Sequence, residues 1–298
     1  MNDQRKLLEM KLLIDKCDGE FAARLENIAL DILSKKNVRL VRLSGPTCSG
    51  KTTAATMLTK AFAERGKRAI TVSIDDFYID THILLSNSQK KGLGKIDYDS
   101  AETIDIVELK RFVCEIFESN EVHCPVFDFK SGRRSGYRTL NVGKNDIVIF
   151  EGIQAVYPEV TAMFEGYSSL GIFISPVSAL KSGENAVCPN DIRLMRRLVR
   201  DHKYRNTSPS LTFKLWEGVR SNEESSIFPF ADACEYKVDS TMPYELGVLR
   251  PYLETILAQI KENEDCFDLA QSILLSVKCV EIIPDYLVGE DSLYKEFI

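Results

Sequence analysis

The chain has 298 residues, which is enough for one large domain or two ordinary ones with a well-buried core. A formal net charge of −6 at pH 7 and a pI near 5.4 argue against general binding to nucleic acid or to an anionic membrane. No apolar run reaches membrane-spanning length, the first residues lack a signal-peptide core, and the eight cysteines include no Cys-x-x-Cys pair, which favours a cytosolic protein with reduced thiols. Residues 2–37 predict two charged amphipathic helices.

The most informative stretch follows a predicted strand over 38–44. An unbroken match to the phosphate-binding pattern G-x-x-x-x-G-K-[ST] is formed by Gly45, Pro46, Thr47, Cys48, Ser49, Gly50, Lys51 and Thr52. A helical pattern that stops at Gly66 comes next, so the strand–loop–helix context that this pattern requires is present. The sequence therefore predicts a phosphate-binding loop, called the P-loop below.

Each part of this loop has a physical role in binding a nucleoside triphosphate. Glycine lets backbone N–H groups close around phosphate oxygens, and the N-terminus of the following helix adds partial positive charge. Lys51 can bridge the β- and γ-phosphates, and the Thr52 hydroxyl can bind Mg²⁺. ATP and Mg²⁺ are therefore the expected cofactors.

The rest of the chain alternates between predicted strands and helices. A strand over 68–74 ends in Asp75 and Asp76, and a loop is predicted over 79–98. Asp105 and Glu108 form a capping box at the start of a helix. Further strands are predicted over 121–129, 137–142, 146–151, 170–175 and 235–239, the first two as a small β insertion. Further helices are predicted over 176–186, 190–204, 209–224 and 243–260.

This order of elements predicts the fold. Strands that alternate with helices are typical of an α/β protein with a doubly wound parallel sheet and helices on both faces. We expect this architecture of a P-loop NTPase, with the small β insertion and an arginine-rich lid helix. We expect one kinase domain over 38–260, preceded by a helical extension over 1–37 and followed by another over 261–298.

Two carboxylates follow predicted strands at the edge where the P-loop also lies. Asp75 comes directly after one strand and Glu151 ends another, and ligands of open α/β sheets bind at the carboxyl ends of the strands. One carboxylate can serve the Mg²⁺ shell while the other accepts the proton of a substrate hydroxyl. This division favours a small-molecule kinase over a hydrolase, since the sequence has no Asn-Lys-x-Asp guanine-binding motif. The alternative for either acid is a capped turn.

A second signal is a stripe of arginines on the helix predicted over 190–204. The positions i, i+3, i+4 and i+7, which share one helix face, are occupied by Arg193, Arg196, Arg197 and Arg200. Like charges at this spacing repel by roughly 0.2–0.5 kcal/mol per pair, and Asp201 can relieve only Arg197. We therefore expect an anion as partner, and a lid that closes over the triphosphate is favoured. Surface ion pairs and an RNA-binding patch are the alternatives.

With these pieces in place, the chain resembles the uridine kinase and phosphoribulokinase family of P-loop kinases from about 38 to 256. GPTCSGKTT resembles the P-loop of the family, SIDDFY its aspartate-bearing loop and YDSAETID the segment that holds the ribose. PVFDF resembles the base-stacking segment, IFEGI the strand beside the metal and DIRLMRRLVRD the lid. The ends of the chain resemble a bacterial branch of uridine kinase-like proteins.

The resemblance implies an ATP-dependent phosphotransferase that moves the γ-phosphoryl group to the 5′-hydroxyl of a nucleoside, with uridine or cytidine favoured. The implied catalytic residues are Asp75 as general base, Lys51, Arg193 and Arg197. The implied metal-binding residues are Thr52, Glu151 and Asp75. The implied ATP-binding residues are those of the P-loop together with Thr53, Arg193, Arg196 and Arg197. The implied substrate-binding residues are Asp75, Tyr78, Tyr98, Asp99, Phe127 and Arg134.

Two departures from the family pattern keep rival functions open. Gly132 stands where the pyrimidine kinases have a base-binding histidine, and Lys214 falls nearest to their glutamine on the helix after the lid. A related kinase acting on a sugar phosphate, glycerate or pantothenate is one alternative, because Arg133, Arg134 and Arg138 could hold an anionic acceptor. A nucleotide-binding regulatory protein with little turnover is the other. The expected partners are a nucleoside and ATP, without nucleic acid or membrane, and the protein is expected to be a homo-oligomer.

Overall fold

A five-stranded parallel sheet forms the centre of the molecule. The computed structural model describes residues 2–90, 96, 98 and 100–298. The strands of the sheet are β1 (Leu40–Ser44), β2 (Ala69–Ser73), β5 (Ile147–Glu151), β6 (Ser169–Ser175) and β9 (Tyr236–Asp239). Their order is β2–β5–β1–β6–β9, and each neighbouring pair is parallel. This order places β1, and the P-loop that follows it, in the middle of the sheet.

The three central strands β1, β5 and β6 are largely buried on both faces, and their side chains alternate between two cores. In β5, Ile147 and Ile149 point into the first core, whereas Val148 and Phe150 point into the second. Alternation of this kind follows from the two-residue period of a strand. It explains why the sequence shows continuous apolar runs rather than alternating polar and apolar residues.

Helices cover both faces of the sheet, which confirms the doubly wound α/β architecture. The first core is covered by α1 (Asn2–Ser34), α2 (Lys51–Glu64), α6 (Pro189–Arg205), α7 (Pro209–Asn222), α9 (Glu245–Leu257) and α10 (Phe267–Lys278). The second core is covered by α4 (Ile106–Glu118), α5 (Pro158–Thr161), α8 (Phe228–Ala231) and the small β insertion, which consists of β3 (Glu121–Asp128) and β4 (Arg133–Asn141). Among the helices that the structure describes, none is long and apolar enough to cross a membrane.

The first helix, α1, is one 33-residue element, so the prediction of two helices over 2–37 is wrong. Its buried stripe consists of Ile14, Cys17, Phe21, Leu25, Ala29 and Ile32. Steps of three and four residues keep this stripe on one face, packed against the first core. Gly19 weakens the middle of the helix by only about 1 kcal/mol, which the burial of this stripe outweighs.

Two further predictions of local structure are wrong. The predicted loop over 79–98 contains α3 (Thr81–Lys90), and the Asp80 carbonyl accepts hydrogen bonds from the amides of Ile83 and Leu84 at its start. The predicted helix over 176–186 is instead a hairpin of β7 (Leu180–Ser182) and β8 (Asn185–Val187). Gly183, with a φ of 61°, makes the turn. A two-residue loop with a positive φ suits a hairpin, and it overrides the weak helical pattern.

Candidate active site

The P-loop connects β1 to α2 through two positions that only glycine fits. Gly50 is the N-cap of α2 with a φ of 91°, a left-handed conformation that glycine adopts without strain. A Cβ on Gly45 would lie 2.0 Å from the carbonyl oxygen of Ile174. The buried Lys51 ammonium donates a hydrogen bond to the Pro46 carbonyl at 3.0 Å. The loop therefore wraps around its own lysine.

Two features of this loop fit a phosphate ligand. The Ser49 hydroxyl is fully buried and has no hydrogen-bond partner in the part of the chain that the structure describes. Ser49 is one of six described residues with an unpaired buried side-chain atom, and its place in the P-loop makes its hydroxyl a candidate contact for a phosphate oxygen. The second feature is the first turn of α2, whose backbone N–H groups and partial positive charge favour an anion.

Glu151 and Asp75 reach the same edge of the sheet as the P-loop. Glu151 ends β5, and the register pairs it with Leu43 of β1 on one side and Ser73 of β2 on the other. Asp75 lies two residues beyond Ser73, in the short 3₁₀ helix Ile74–Phe77, and its amide donates to the Ser73 hydroxyl at 3.3 Å. Three adjacent strands thus bring both carboxylates next to the loop.

The carboxyl group of Glu151 lies in a strongly perturbed environment. Burial raises its pKa to about 7, and the negative charges of Asp75 and Glu296 act in the same direction. The Lys51 ammonium opposes this shift. These effects show that Glu151, Asp75 and Lys51 lie within electrostatic range of one another.

The groups that could hold Mg²⁺ are the hydroxyl of Thr52 and the carboxylates of Glu151 and Asp75. Within the described residues, no group of three or more His, Cys, Asp and Glu side chains is arranged to hold a metal ion. In kinases Mg²⁺ is usually held by one or two protein oxygens together with substrate phosphates and waters, so this small donor set fits the ion. A cation would also offset the negative charge around Glu151.

An aromatic cluster surrounds Tyr78, which follows Asp75 by three residues. The ring of Tyr78 lies 5.6 Å from that of Phe127, 5.8 Å from that of Phe129 and 6.4 Å from that of Tyr98. Phe127 is buried, whereas Phe129 is 63% exposed. The structure thus brings Tyr78, Tyr98 and Phe127 together and adds Phe129, which sequence reasoning missed although it stands two residues after Phe127.

The hydroxyl of Tyr78 is held on two sides. It donates to the Tyr98 carbonyl at 2.7 Å and accepts from the side-chain amide of Gln154 at 3.0 Å. Gln154 is fully buried and follows Glu151 by three residues, in the 3₁₀ helix Ile153–Val156. Sequence reasoning missed Gln154 too, and its place just beyond the strand that ends in Glu151 was the available signal.

The arginines of the β insertion are largely paired with carboxylates. Arg134 donates to the Asp105 carboxylate at 3.0 Å. Arg138 forms an ion pair of 2.8 Å with Asp76, the neighbour of Asp75. This pairing reduces the positive charge that the sequence had offered for an anionic acceptor. Asp99, predicted to hold the ribose, lies outside the described residues.

Gly132 has a backbone role that accounts for its departure from the family histidine. Its φ is 65°, and a Cβ there would lie 2.5 Å from the Thr81 hydroxyl oxygen. Its carbonyl accepts the Thr81 amide at 2.8 Å, which joins the β3–β4 loop to the start of α3. A histidine at this position would therefore be strained.

Two arginines of the predicted stripe are buried and paired with glutamates, which corrects the prediction that they require a phosphate partner. The Arg193 guanidinium donates to both carboxylate oxygens of Glu223, at 2.5 and 2.6 Å. Arg196 binds Glu245 in the same way, at 2.7 and 3.0 Å. These glutamates lie 30 and 49 residues away in sequence, so helical spacing could not reveal them.

The same two arginines also bind backbone carbonyls of the P-loop. Arg193 donates to the Thr47 carbonyl and Arg196 to the Cys48 carbonyl, each at 3.2 Å. They therefore support the backbone of the loop, and both side chains are fully buried. Trp216, a buried residue of α7, packs over Arg193 with its ring centre 5.3 Å from the guanidinium carbon.

The other end of α6 carries a surplus of positive charge. Arg197, Arg200 and Arg205 all pair with the single carboxylate of Asp201, at 3.2, 2.8 and 3.5 Å. Arg200 and Arg205 also lie within electrostatic range of Cys48 in the P-loop. Since one carboxylate cannot neutralise three guanidinium groups, this end of the helix retains the capacity to bind an anion.

A P-loop that faces carboxylates from two adjacent strands is the arrangement of a P-loop kinase. The model of the Phosphoribulokinase / Uridine kinase family matches residues 40–240, and the chain belongs to this family. It is therefore an ATP-dependent phosphotransferase with an alcohol group as acceptor.

Individual relatives are similar to this chain at low identity. A uridine kinase of Ureaplasma urealyticum is 26% identical over 200 residues, which cover 67% of this chain and 83% of the relative. A uridine kinase of Schizosaccharomyces pombe is 30% identical over 172 residues, covering 57% of this chain and 33% of that protein. The phosphoribulokinase of Rhodobacter spheroides gives a TM-score of 0.45 at 13% identity, over 86% of this chain and 99% of that structure.

Proposed function

We propose that this protein is a nucleoside kinase that transfers the γ-phosphoryl group of ATP to the 5′-hydroxyl of uridine or cytidine. The observation that carries the proposal is the spatial order of groups along the edge of the sheet: the P-loop, Glu151, Asp75 and then the aromatic cluster around Tyr78. A triphosphate, an alcohol and a planar base would meet these groups in that order. The uridine kinases among its relatives support the same acceptor.

In the proposed reaction Asp75 is the general base. It takes the proton of the acceptor hydroxyl as that oxygen forms a bond to the γ-phosphorus, while the bond from the γ-phosphorus to the bridging oxygen breaks and ADP leaves. Lys51 and the first-turn amides of α2 stabilise the charge on the transferred group and on the leaving ADP. Mg²⁺, held by Thr52 and Glu151, would neutralise phosphate charge when bound.

In this proposal the arginines that bind phosphate lie toward the C-terminal end of α6. Arg197 remains a candidate phosphate ligand, and Arg200 and Arg205 join it because the three share Asp201. Arg193 and Arg196 act on the P-loop carbonyls instead.

The aromatic cluster around Tyr78 favours an uncharged alcohol with a flat ring. Phe129 and Tyr98 are half-exposed beside the buried Phe127, so a base can stack on the cluster. Two of the three arginines that could hold an anionic acceptor, Arg134 and Arg138, are paired with aspartates, which leaves the exposed Arg133 for a sugar phosphate or glycerate and makes such an acceptor less favoured. Asp99 as a ligand of the ribose and a homo-oligomeric assembly remain predictions.

The test is an ADP-release assay with Mg²⁺ and ATP over a panel of nucleosides, sugar phosphates, glycerate and pantothenate. We expect turnover with uridine or cytidine and only background with the anionic acceptors. Turnover restricted to glycerate or a sugar phosphate would show that this compound, and not a nucleoside, is the acceptor. Tight ATP binding without turnover on any acceptor would favour a regulatory protein.

The role of Asp75 is tested by Asp75→Asn. We expect kcat to fall by at least about a hundredfold with nearly unchanged ATP affinity, because only the proton acceptor is lost. Asp76→Asn is the matched control, since Asp76 is engaged by Arg138, and it should affect kcat far less. Equal losses in the two variants would show that the base lies elsewhere.

A further inference from the structure

Residues 292–298 lie directly on the P-loop. Leu293–Glu296 form a 3₁₀ helix, and Leu293, Tyr294 and Phe297 are buried at 1%, 0% and 0% exposure. Leu293 packs on the N-cap of α2 so closely that a Cβ on Gly50 would lie 2.3 Å from its Cδ1 atom. The segment therefore covers the point where the P-loop enters the helix.

Specific contacts fasten this segment to the P-loop support. The Tyr294 hydroxyl donates to the Glu245 carboxylate at 2.5 Å, the same group that binds Arg196. The guanidinium carbon of Arg196 lies 5.5 Å from the ring centre of Tyr294 and 5.1 Å from that of Phe297. A chain segment with these partners is seated in a formed site and does not merely rest on the surface.

The segment places a carboxylate where the loop offers its anion-binding groups. One oxygen of Glu296 accepts from the backbone N–H of Thr53 at 3.4 Å and from its hydroxyl at 3.2 Å. Thr53 is the third residue of α2, so its N–H belongs to the first turn, which has no helical partner of its own. Burial lowers the pKa of Arg200, and nearby negative charge, to which Asp201 and Glu296 contribute, raises it on balance. The Glu296 carboxylate thus faces the helix N-terminus and an arginine.

This contact is reachable from outside. Thr52, Thr53 and Glu296 line a cavity of about 690 Å³ between α1, α2 and residues 289–296. A ligand can therefore approach the first turn of α2 from solvent and meet the Glu296 carboxylate there. Two anions cannot share one set of N–H and hydroxyl donors without strong repulsion.

We propose that residues 292–298 are an intramolecular inhibitor of ATP binding, with Glu296 occupying an anion position of the P-loop that a nucleotide phosphate must take over. This inference rests on the proposed function only in that ATP binds at the P-loop. ATP then binds the form in which the segment has withdrawn, and its apparent affinity falls in proportion to the fraction of open molecules.

The primary test compares Glu296→Gln with Glu262→Gln by the affinity for a fluorescent ATP analogue with Mg²⁺ and no acceptor. Both variants remove one negative charge, but Glu262 is exposed and lies outside both the segment and the cavity. We expect Glu296→Gln to bind the analogue about five- to tenfold more tightly, and Glu262→Gln to match the unaltered protein within about twofold. Unchanged or weaker binding by Glu296→Gln overturns the proposal.

A second measurement follows the segment itself. The amides of Lys295, Phe297 and Ile298 are hydrogen-bonded within it, to the carbonyls of Ser292 and Tyr294. Addition of Mg²⁺ and ATP to the unaltered protein should accelerate hydrogen exchange at these amides. Slower or constant exchange would mean that the segment stays seated beside ATP, which overturns the inhibitory role.

These outcomes separate the inference from the proposed function. Both measurements omit the acceptor, so a wrong nucleoside leaves them readable. If neither the unaltered protein nor Glu296→Gln binds ATP, the assignment of the nucleotide site is wrong and the inference fails with it. If the two proteins bind ATP equally, only the inhibitory role is lost.

Discussion

At the scale of single residues, the site differs from its surroundings in whether buried charge is neutralised. Arg193 and Arg196 each have a carboxylate partner with both oxygens engaged. Glu151, in contrast, lies among other carboxylates, and its pKa rises to about 7. The Glu151 carboxyl group, without a neutralising partner of its own, is suited to bind a cation, whereas the ion-paired Arg193 and Arg196 stabilise the fold.

The raised pKa of Glu151 predicts a pH-dependent stability. Between the ordinary value of 4.5 and about 7, the folded state keeps a proton that the unfolded state has lost. Stability then falls as pH rises through this window. Without nucleotide and with EDTA, the unaltered protein should lose roughly 2–3 kcal/mol more unfolding free energy between pH 5 and pH 8 than Glu151→Gln does.

Urea unfolding at the two pH values measures this difference. Glu217→Gln, at an exposed position of α7, is the control and should follow the unaltered protein. If Glu151→Gln shows the same pH dependence as the unaltered protein, the carboxyl group of Glu151 is not perturbed in the way described.

The buried pair of Arg196 and Glu245 predicts a large loss of stability on Arg196→Ala. The change leaves the Glu245 carboxylate buried with Tyr294 and the Met242 amide as its remaining partners, which should cost about 3–5 kcal/mol of unfolding free energy. Arg200→Ala is the comparison, because Asp201 keeps Arg197 and Arg205. Its stability loss should be clearly smaller in thermal unfolding, and similar losses would show that Arg196 has no special structural role.

At the scale of elements, the sequence predicted best where a pattern is local. The P-loop, the central strands and the helix that Asp105 caps depend on neighbours along the chain, and each lies within a few residues of its predicted place. The arginine stripe depends on Glu223 and Glu245, which the fold brings from far along the chain. Spacing on one helix gives the direction of a side chain but not its partner, which is why the phosphate assignment of Arg193 and Arg196 failed.

The connection between the β insertion and α3 predicts the effect of Gly132→Ala. The left-handed backbone costs about 1–2 kcal/mol for a residue with a Cβ, and contact with Thr81 adds to it. Gly66→Ala is the matched control, with a φ of 70° and open space around its Cβ position. Thermal unfolding should show a larger loss for Gly132→Ala, and equal losses would mean that Thr81 moves aside freely.

At the scale of the whole molecule, all three predicted segments contribute to one core. Phe21 of α1, Phe62 of α2 and Phe297 near the other end of the chain belong to the same cluster of buried side chains. The helical extensions were predicted from composition, but sequence patterns could not show that they share the core of the kinase domain. Packing between distant segments is a property of the assembled fold.

This shared core predicts that Phe21→Ala destabilises the whole molecule. Loss of a fully buried phenylalanine side chain should cost about 3–5 kcal/mol. Urea unfolding followed by circular dichroism and by the fluorescence of Trp216, the single tryptophan, should shift together. Leu12→Ala, at a position 59% exposed on the same helix, is the control. A separate early transition confined to helix content would instead show that α1 unfolds independently.

The tethering of the Thr47 and Cys48 carbonyls has a consequence for how a nucleotide is received. Two guanidinium groups, each anchored to its own glutamate, fix these two carbonyls, so the conformation of the turn is set before any ligand arrives. A preorganised receptor loses little conformational entropy on association, and more of the intrinsic attraction remains as affinity. Arg193 and Arg196, which were expected to bind the phosphates directly, thus contribute by keeping the nucleotide-binding loop rigid.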